Sequence, residues 1–225
     1  MDIEKERRAD LIAGLGEQFR CFEEVTLTHA TFTRRKIRAD VIAIPVDDRL
    51  ADYALAFEVK EPSQAWNYSD WSHAIRQASD YVYGKIDPVA PAAKYAGRRI
   101  ACAFMFPSPP YNPHGLPMAP TPFVRPGLEQ MVSGQFHLAL HFRVGRAFWE
   151  TSKLGRRFAL SFGPNPLWDS EHGFLDRGLS LIAGKRTLGS GKIDVKAELD
   201  GWGRRKRRLQ NRRPGQADAP LGDDQ

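Results

Sequence analysis

The order of periodic segments over the first 107 residues constrains the fold of this chain more than any other feature. Residues 2–20 carry apolar side chains at helical spacing, namely Leu11, Ile12, Leu15 and Phe19. This pattern predicts an amphipathic helix that packs on one side. Three short segments rich in β-branched and aromatic residues follow, at 21–29, 39–46 and 53–60. Such composition between polar turns predicts three strands.

A second helix and a fourth strand complete this pattern. Residues 71–85 place four apolar residues three and four apart, namely Ala74, Ile75, Ala78 and Val82, as a helix resting on a sheet would. Residues 98–107 are again apolar and predict a strand. A strand, a helix and a strand in succession indicate a crossover connection. The sequence therefore predicts an α/β fold with an αβββαβ core, a mixed central sheet and flanking helices.

The second half of the chain is less regular. Residues 107–127 contain eight of the sixteen prolines, which predicts a long surface loop. The apolar residues of 136–144 alternate strictly, which predicts a half-exposed strand, and 157–163 would be its hairpin partner. His137 and His141 share the outer face of that strand, but without a third ligand we expect them to be solvent-exposed.

We expect one domain over residues 1–200 and a disordered tail over 201–225. The domain would comprise a core (1–106), the Pro-rich loop (107–127) and a hairpin with a C-terminal extension (128–200). The tail holds seven basic and three acidic residues, a net charge of +4 out of +6 for the whole chain. Its few apolar residues do not offset the entropy lost on folding. Its densest cations, which could bind nucleic acid by releasing counterions, are Arg204, Arg205, Lys206, Arg207 and Arg208. A tail that only keeps the protein in solution is the alternative.

Composition excludes several classes of protein. Apolar residues make up 42% and charged residues 27%, as in ordinary globular proteins. The longest apolar runs fall far short of the roughly 20 residues that span a bilayer, and the charged N-terminus does not resemble a secretory signal. Cys21 and Cys102 lack the spacing of a zinc or disulfide motif. We expect a cytoplasmic protein with reduced thiols and no membrane partner, and the oligomeric state stays open.

Two opposite charges at the end of the third strand suggest a reactive site. Glu58 and Lys60 are two residues apart, so they project from the same face of a strand. If strands two and three pair as a hairpin, Asp40 comes near Glu58. Close carboxylates raise each other's pKa unless a cation lies between them. This grouping therefore favours a bound Mg²⁺ or Mn²⁺, with Lys60 beside the water that such an ion activates.

The residues at these positions resemble the motifs of the PD-(D/E)xK nuclease superfamily. "RAD" at Arg38 to Asp40 and "FEVK" at Phe57 to Lys60 correspond to its acidic and D/E-x-K elements. The next predicted helix contains "QASDY", which is similar to the Gln-x-x-x-Tyr motif of the RecB-like branch. The resemblance covers about residues 1–106, and it departs from the strictest pattern at Ala39, where many members have proline.

The resemblance implies a restriction-endonuclease-like core and a metal-dependent nuclease. Asp40, Glu58 and the Val59 carbonyl would hold the metal, Lys60 would serve the water, and Gln77 and Tyr81 would complete the catalytic set. Arg38, His73, Gln77 and Tyr81 would contact nucleic acid. The family also implies an acid on the first helix, and of Glu4, Glu6 and Glu17 only Glu4 shares the helix face of Leu11 and Leu15. Fraying of Glu4 in the first helical turn is the alternative.

Alternative functions remain open from sequence. A second triplet, Asp194 to Lys196, lacks a following Gln-x-x-x-Tyr motif and a strand context for its upstream partner Asp176, so we do not assign it a function. DNA is the expected substrate. The alternatives are an RNA-directed nuclease and a binding module that keeps the nuclease fold without turnover.

Overall fold

Two α-helices and nine β-strands form the described part of the chain, in a computed structural model. The structure describes residues 3–30, 36–50, 52–61, 68–89, 91–108, 135–136, 138–152, 155–162 and 165–175. These residues all belong to one compact unit, Met1–Gly189. Most of the predicted Pro-rich loop, His137, the Asp194–Lys196 triplet and the basic tail lie outside the described residues.

The helices and strands follow one another in the order that the first half of the sequence predicts, with one short strand added. The first half contains α1 (Ile3–Leu15), β1 (Phe19–His29), β2 (Lys36–Pro45), β3 (Tyr53–Val59), α2 (Tyr68–Val82), β4 (Gly84–Ile86) and β5 (Arg99–Phe106). The second half contains β6 (Val144–Ser152), β7 (Gly155–Phe162), β8 (Asn165–Asp169) and β9 (Gly173–Phe174). The fold is therefore mixed α/β.

All nine strands belong to one mixed sheet. β1, β2 and β3 pair antiparallel in succession, whereas β3 is parallel to β5 and β5 is parallel to β6. β4 pairs with the end of β1 and meets the start of β5 at Lys85 and Arg99. The pairings among β1 to β5 thus form a closed cycle. The strands β6 to β9 extend the sheet by antiparallel pairing.

The sheet separates two apolar clusters, one beneath each helix. Trp71, Ala78 and Tyr81 of α2 belong to the first cluster, together with strand residues such as Ala56. Leu11 and Leu15 of α1 belong to the second cluster, together with Phe57 and residues of β7 and β8. Because successive residues of β3 alternate between the clusters, Glu58 lies on the face that α2 covers.

The first helix is shorter than the sequence predicts. It ends at Leu15, and Phe19 begins β1 instead of extending the apolar helix face. Gly16 follows the helix with a φ of 57°, a left-handed conformation that favours glycine and commonly ends helices. Leu11 and Leu15 are buried, as predicted.

The second helix also ends earlier than predicted, because β4 takes its last residues. α2 stops at Val82, and Gly84 and Lys85 pair with His29 and Thr28 of β1. A Cβ atom on Gly84 would lie 2.9 Å from Leu27 Cδ1 and from the Tyr81 carbonyl oxygen. The absence of a side chain at Gly84 allows this tight change from helix to strand.

The prediction of a strand from residue 136 is wrong for residues 136 and 138–143. Residues 135–136 and 138–139 are helical, Leu140–Phe142 form a 3₁₀ turn, and β6 begins at Val144. Leu138 and Phe142 are 61% and 50% exposed, whereas Phe136, Ala139 and Leu140 are buried. The buried positions follow helical spacing, so His141 lies in a turn and not on a strand face. The predicted hairpin is present as β6 and β7.

Candidate active site

The two carboxylates predicted from sequence lie on neighbouring antiparallel strands. Val41 pairs with Phe57, and Asp40 and Glu58 are the next residues on the two strands beyond this pair. The Val59 amide donates a hydrogen bond to Asp40 Oδ2 over 2.7 Å. Asp40 lies within β2, since that strand begins at Lys36 and not near Ala39 as predicted. This bond fixes the Asp40 carboxylate against the end of β3.

Lys60 lies beside Glu58, as the spacing of two residues predicts. Its Nζ atom is 2.5 Å from Glu58 Oε1, and its backbone amide donates to the Phe106 carbonyl oxygen over 2.9 Å. The lysine side chain is 25% exposed, whereas the glutamate is fully buried. The ammonium group therefore sits between the buried acid and solvent.

Glu58 Oε1 is a buried oxygen whose partner among the described residues is the Lys60 ammonium group. This ion pair lowers the pKa of Glu58, but burial and Asp40 outweigh it, and the pKa stays above its ordinary value. One cation therefore offsets only part of the cost of burying this charge. A proton or a further cation would offset the remainder.

Tyr81 and Gln77 hold the other side of the acid. The Tyr81 hydroxyl lies between two acceptors, Glu58 Oε2 and the Arg38 carbonyl oxygen, the latter at 3.0 Å. The Gln77 side-chain amide donates to that hydroxyl over 3.2 Å. Since a hydroxyl carries one proton, Tyr81 cannot donate fully to both acceptors. If Glu58 were protonated, it could donate to the Tyr81 hydroxyl, and Tyr81 could then donate to the Arg38 carbonyl oxygen.

The electrostatics of the group follow from burial and from the paired acids. Burial first, and Asp40 second, raise the pKa of Glu58 to about 7. Burial also raises the pKa of Asp40, although the Val59 amide and Lys60 oppose the shift. Burial alone would lower the pKa of Lys60, but Glu58 outweighs it, and the lysine pKa lies above its ordinary value. Burial raises the pKa of Tyr81 as well, and so do the two acids.

The first helix brings charge to the same place. Glu4 is partly buried, whereas Glu6 and Glu17 are exposed, which agrees with the choice of Glu4 from the helical wheel. Glu4 raises the pKa of both Asp40 and Lys60, and Arg8 lowers that of Asp40. Arg8 is anchored to β1 through Glu23, with Nε 2.9 Å from Oε2. Whether Glu4 binds a metal stays a prediction.

Beside Tyr81 lies a groove of about 230 Å³ that contains the predicted nucleic-acid contacts. Ile37 and Arg38 of β2 form one wall, and α2 supplies His73, Arg76, Gln77, Asp80 and Tyr81. Arg38 and His73 are exposed there. Sequence reasoning missed Arg76, although its position three residues after His73 and four before Asp80 could have indicated it.

The donor atoms present suit a hard divalent cation. Asp40 and Glu58 supply carboxylate oxygens, and the Val59 carbonyl directly follows Glu58 in sequence. Among the described residues, no group of three or more His, Cys, Asp or Glu side chains is placed to hold a metal. Mg²⁺ commonly binds to one or two carboxylates and retains several waters, so the pair fits such an ion.

Comparison with known proteins gave no matching family model, no matching curated protein and no matching solved structure. The resemblance to PD-(D/E)xK nucleases therefore rests on the residues and geometry described above. Within the described residues, no helix has the length and apolar character needed to cross a membrane.

Proposed function

We propose that this chain is a metal-dependent nuclease of the PD-(D/E)xK type that hydrolyses phosphodiester bonds in DNA. The observation that carries the proposal is the meeting of Asp40, Glu58 and Lys60 at one point. The acids come from adjacent strands, and the lysine Nζ is 2.5 Å from Glu58. A fully buried glutamate with a half-buried aspartate and a lysine beside it is a costly arrangement, and costly groups of this kind cluster at functional sites.

The order of the elements supports the same proposal. α1, three antiparallel strands, α2 and a strand parallel to β3 follow one another, as the restriction-endonuclease-like αβββαβ core requires. The short β4 is an addition to that order. Gln77 and Tyr81 lie on α2, where Tyr81 contacts Glu58 and Gln77 contacts Tyr81, in line with the Gln-x-x-x-Tyr motif of the RecB-like branch.

The acids would hold Mg²⁺ or Mn²⁺ through Asp40, Glu58 and the Val59 carbonyl, with Glu4 nearby. When bound, such an ion would supply an activated water and stabilise negative charge on phosphorus. Tyr81 orients Glu58, and the Val59 amide orients Asp40. Because its raised pKa keeps Lys60 protonated at neutral pH, the lysine would orient the water and offset charge in preference to accepting a proton.

Cleavage assays test the proposal directly. Purified protein is incubated with linear duplex, circular duplex and single-stranded DNA in Mg²⁺, Mn²⁺ or EDTA. We expect cleavage with either metal, none in EDTA, and a loss of at least about 100-fold in Lys60→Ala. Lys196→Ala, from the second D-x-K triplet, is the matched control and should cleave normally. Cleavage in EDTA, or equal activity of the two variants, would refute the mechanism.

The same assay separates the alternatives. Labelled DNA and RNA of one sequence compete for the protein, and preferential cleavage of RNA would replace DNA as the substrate. DNA retention without cleavage under any metal would identify a binding module that keeps the fold without turnover.

A further inference from the structure

Three cations converge on one tyrosine on a surface remote from the acid pair. We call this surface the Tyr95 patch, and it consists of Arg20, Lys94 and Arg98 around Tyr95 and Phe22. Arg20 Nη1 donates to the Tyr95 hydroxyl over 3.0 Å. The Arg98 guanidinium carbon lies 4.6 Å from the centre of the Tyr95 ring, and Lys94 Nζ lies 5.1 Å from it.

The described residues provide no carboxylate that neutralises the positive charge of the Tyr95 patch. Among the described residues, no carboxylate lies within 4.0 Å of Arg20, Lys94 or Arg98. The Arg20 hydrogen bond holds the pKa of Tyr95 below its ordinary value, and the charges of Arg20 and Lys94 act in the same direction. Like charges held together repel each other. Contact with the ring offsets only part of that repulsion, so an anion would bind there favourably.

The patch is also held in a defined shape. Tyr95 is 8% exposed and packs edge-on against Phe22 of β1, with ring centres 5.7 Å apart. It ends a 3₁₀ turn, Ala93–Tyr95, and the Arg98 amide donates to its carbonyl oxygen over 3.2 Å. Arg20 and Lys94 are exposed. Binding would therefore require little ordering of the backbone, which favours affinity.

The Tyr95 patch and the acid pair lie toward opposite ends of β5. Met105 pairs with Glu58, whereas Arg99, directly after Arg98, pairs with Tyr53. Six residues of strand separate Arg99 from Met105, which corresponds to about 20 Å at 3.3 Å per residue. That distance matches the rise of about six stacked nucleotides at 3.4 Å each.

We propose that the Tyr95 patch is a second docking surface that binds the phosphodiester backbone of a nucleic acid away from the acid pair. Two guanidinium groups favour phosphate, since their planar donors match its oxygens in pairs. The choice of nucleic acid over other polyanions rests on the proposed function. Contacts to the backbone alone would give affinity and orientation without sequence preference.

Binding measured in EDTA tests the patch without cleavage. Fluorescence anisotropy of a labelled 30-base-pair DNA duplex is recorded with full-length protein across a series of salt concentrations. Arg20→Gln/Arg98→Gln is compared with Arg49→Gln/Arg156→Gln. The control pair likewise removes two arginines, both of them exposed. One is stacked on a ring, with the Arg156 guanidinium carbon 4.1 Å from the centre of the Trp149 ring. Lys94→Gln, which removes a charge and no hydrogen bond, is tested alone.

Each lost phosphate contact lowers the slope of log affinity against log salt by about 0.9. We therefore expect the slope to fall by about two for the Arg20/Arg98 pair and by about one for Lys94→Gln. The control pair should keep the slope of the wild type. Equal slopes for the Arg20/Arg98 pair and the control pair, with Lys94→Gln unchanged, would overturn the proposal. If the Arg20/Arg98 variant melts at a lower temperature than the wild type, the salt slope of Lys94→Gln alone decides whether the proposal holds.

Further outcomes separate this proposal from the nuclease proposal. If the patch variants lower the salt slope but the wild type cleaves no DNA, the patch proposal holds and the nuclease proposal fails. If the wild type cleaves DNA but the patch variants keep its salt slope, the nuclease proposal holds and the patch proposal fails. If polyglutamate binding is lost while the DNA slope stays constant, the patch serves an acidic polypeptide and the proposal fails.

Discussion

The Tyr81 hydroxyl shows how single atoms hold the buried acid. It lies on a 1% exposed residue and is within hydrogen-bonding distance of Glu58, Gln77 and the Arg38 carbonyl. One side chain therefore links α2, β2 and β3 at the point where the charges meet. Its chemistry can be tested separately from its packing, because phenylalanine keeps the ring.

We expect Tyr81→Phe to lower the free energy of unfolding by about 1–3 kcal/mol, since it leaves buried acceptors without a donor. Urea unfolding measures the change. Tyr83→Phe is the control, because Tyr83 is 48% exposed and such substitutions usually cost less than about 0.5 kcal/mol. Equal effects of the two variants would show that the hydroxyl contributes nothing.

The raised pKa of Glu58 predicts how stability depends on pH without a metal. Between its ordinary pKa of 4.5 and its folded value of about 7, the unfolded chain releases the proton and the folded chain retains it. The contribution of Glu58 to the free energy of unfolding is therefore fully present below about pH 4.5 and is lost as the pH rises to about 7. The loss is at most about 3 kcal/mol, and Asp40 acts in the same direction.

Urea unfolding in EDTA from pH 4.5 to 8 measures this slope. In Glu58→Gln we expect most of the fall to disappear, because the amide does not ionise. A fall of the same size in the wild type and in Glu58→Gln would contradict the assignment to Glu58.

The C-terminal strands position the first helix, which carries Glu4. The Trp149 indole of β6 donates to Asp10 Oδ2 over 3.1 Å, and the Trp168 indole of β8 donates to Gln18 Oε1 over 2.9 Å. Gly14 lies against Phe158 of β7, where a Cβ atom would be 2.6 Å from the ring. Strands outside the predicted core thus hold α1 against the sheet.

We expect Gly14→Ala to destabilise the protein by about 1–3 kcal/mol, because the fully buried Phe158 ring must move. This cost exceeds or offsets the gain of up to about 1 kcal/mol that alanine brings to a helix. Ala13→Ser, at the exposed neighbouring position, is the control and should change stability little. A thermal melt compares both, and a stabilised Gly14→Ala would contradict the close packing.

At the scale of the whole molecule, binding of a metal should couple to folding. Thermal melts with Mg²⁺ or Mn²⁺ measure it, and we expect the melting temperature to rise with metal concentration. The rise should grow from pH 6 to 8, because the ion competes with the proton on Glu58. Asp40→Asn should abolish it, whereas Asp48→Asn, at an exposed turn, should not. A rise of equal size in both variants would place the ion elsewhere.

Local periodicity was sufficient to predict the first helix, three strands and α2, because each helix has one apolar face against the sheet and the strands are short apolar runs between polar turns. It was also sufficient to place Asp40, Glu58 and Lys60 together, since a strand period of two and one hairpin determine their approach. It failed at residues 136–144, where alternating and helical spacing coexist. There the contact of Phe136 with Trp71, with ring centres 5.9 Å apart, belongs to the packing and is not visible in local spacing. The Tyr95 patch depends on distant segments in the same way.

The enclosure of β3 has a consequence for the lifetime of the site. This strand has β2 on one side and β5 on the other, and six of its seven residues are fully buried. Its amide hydrogens can therefore exchange with deuterated water only when the molecule opens globally. Glu58 belongs to the last part of the protein to open, so heat inactivation and loss of the entire fold should follow one time course.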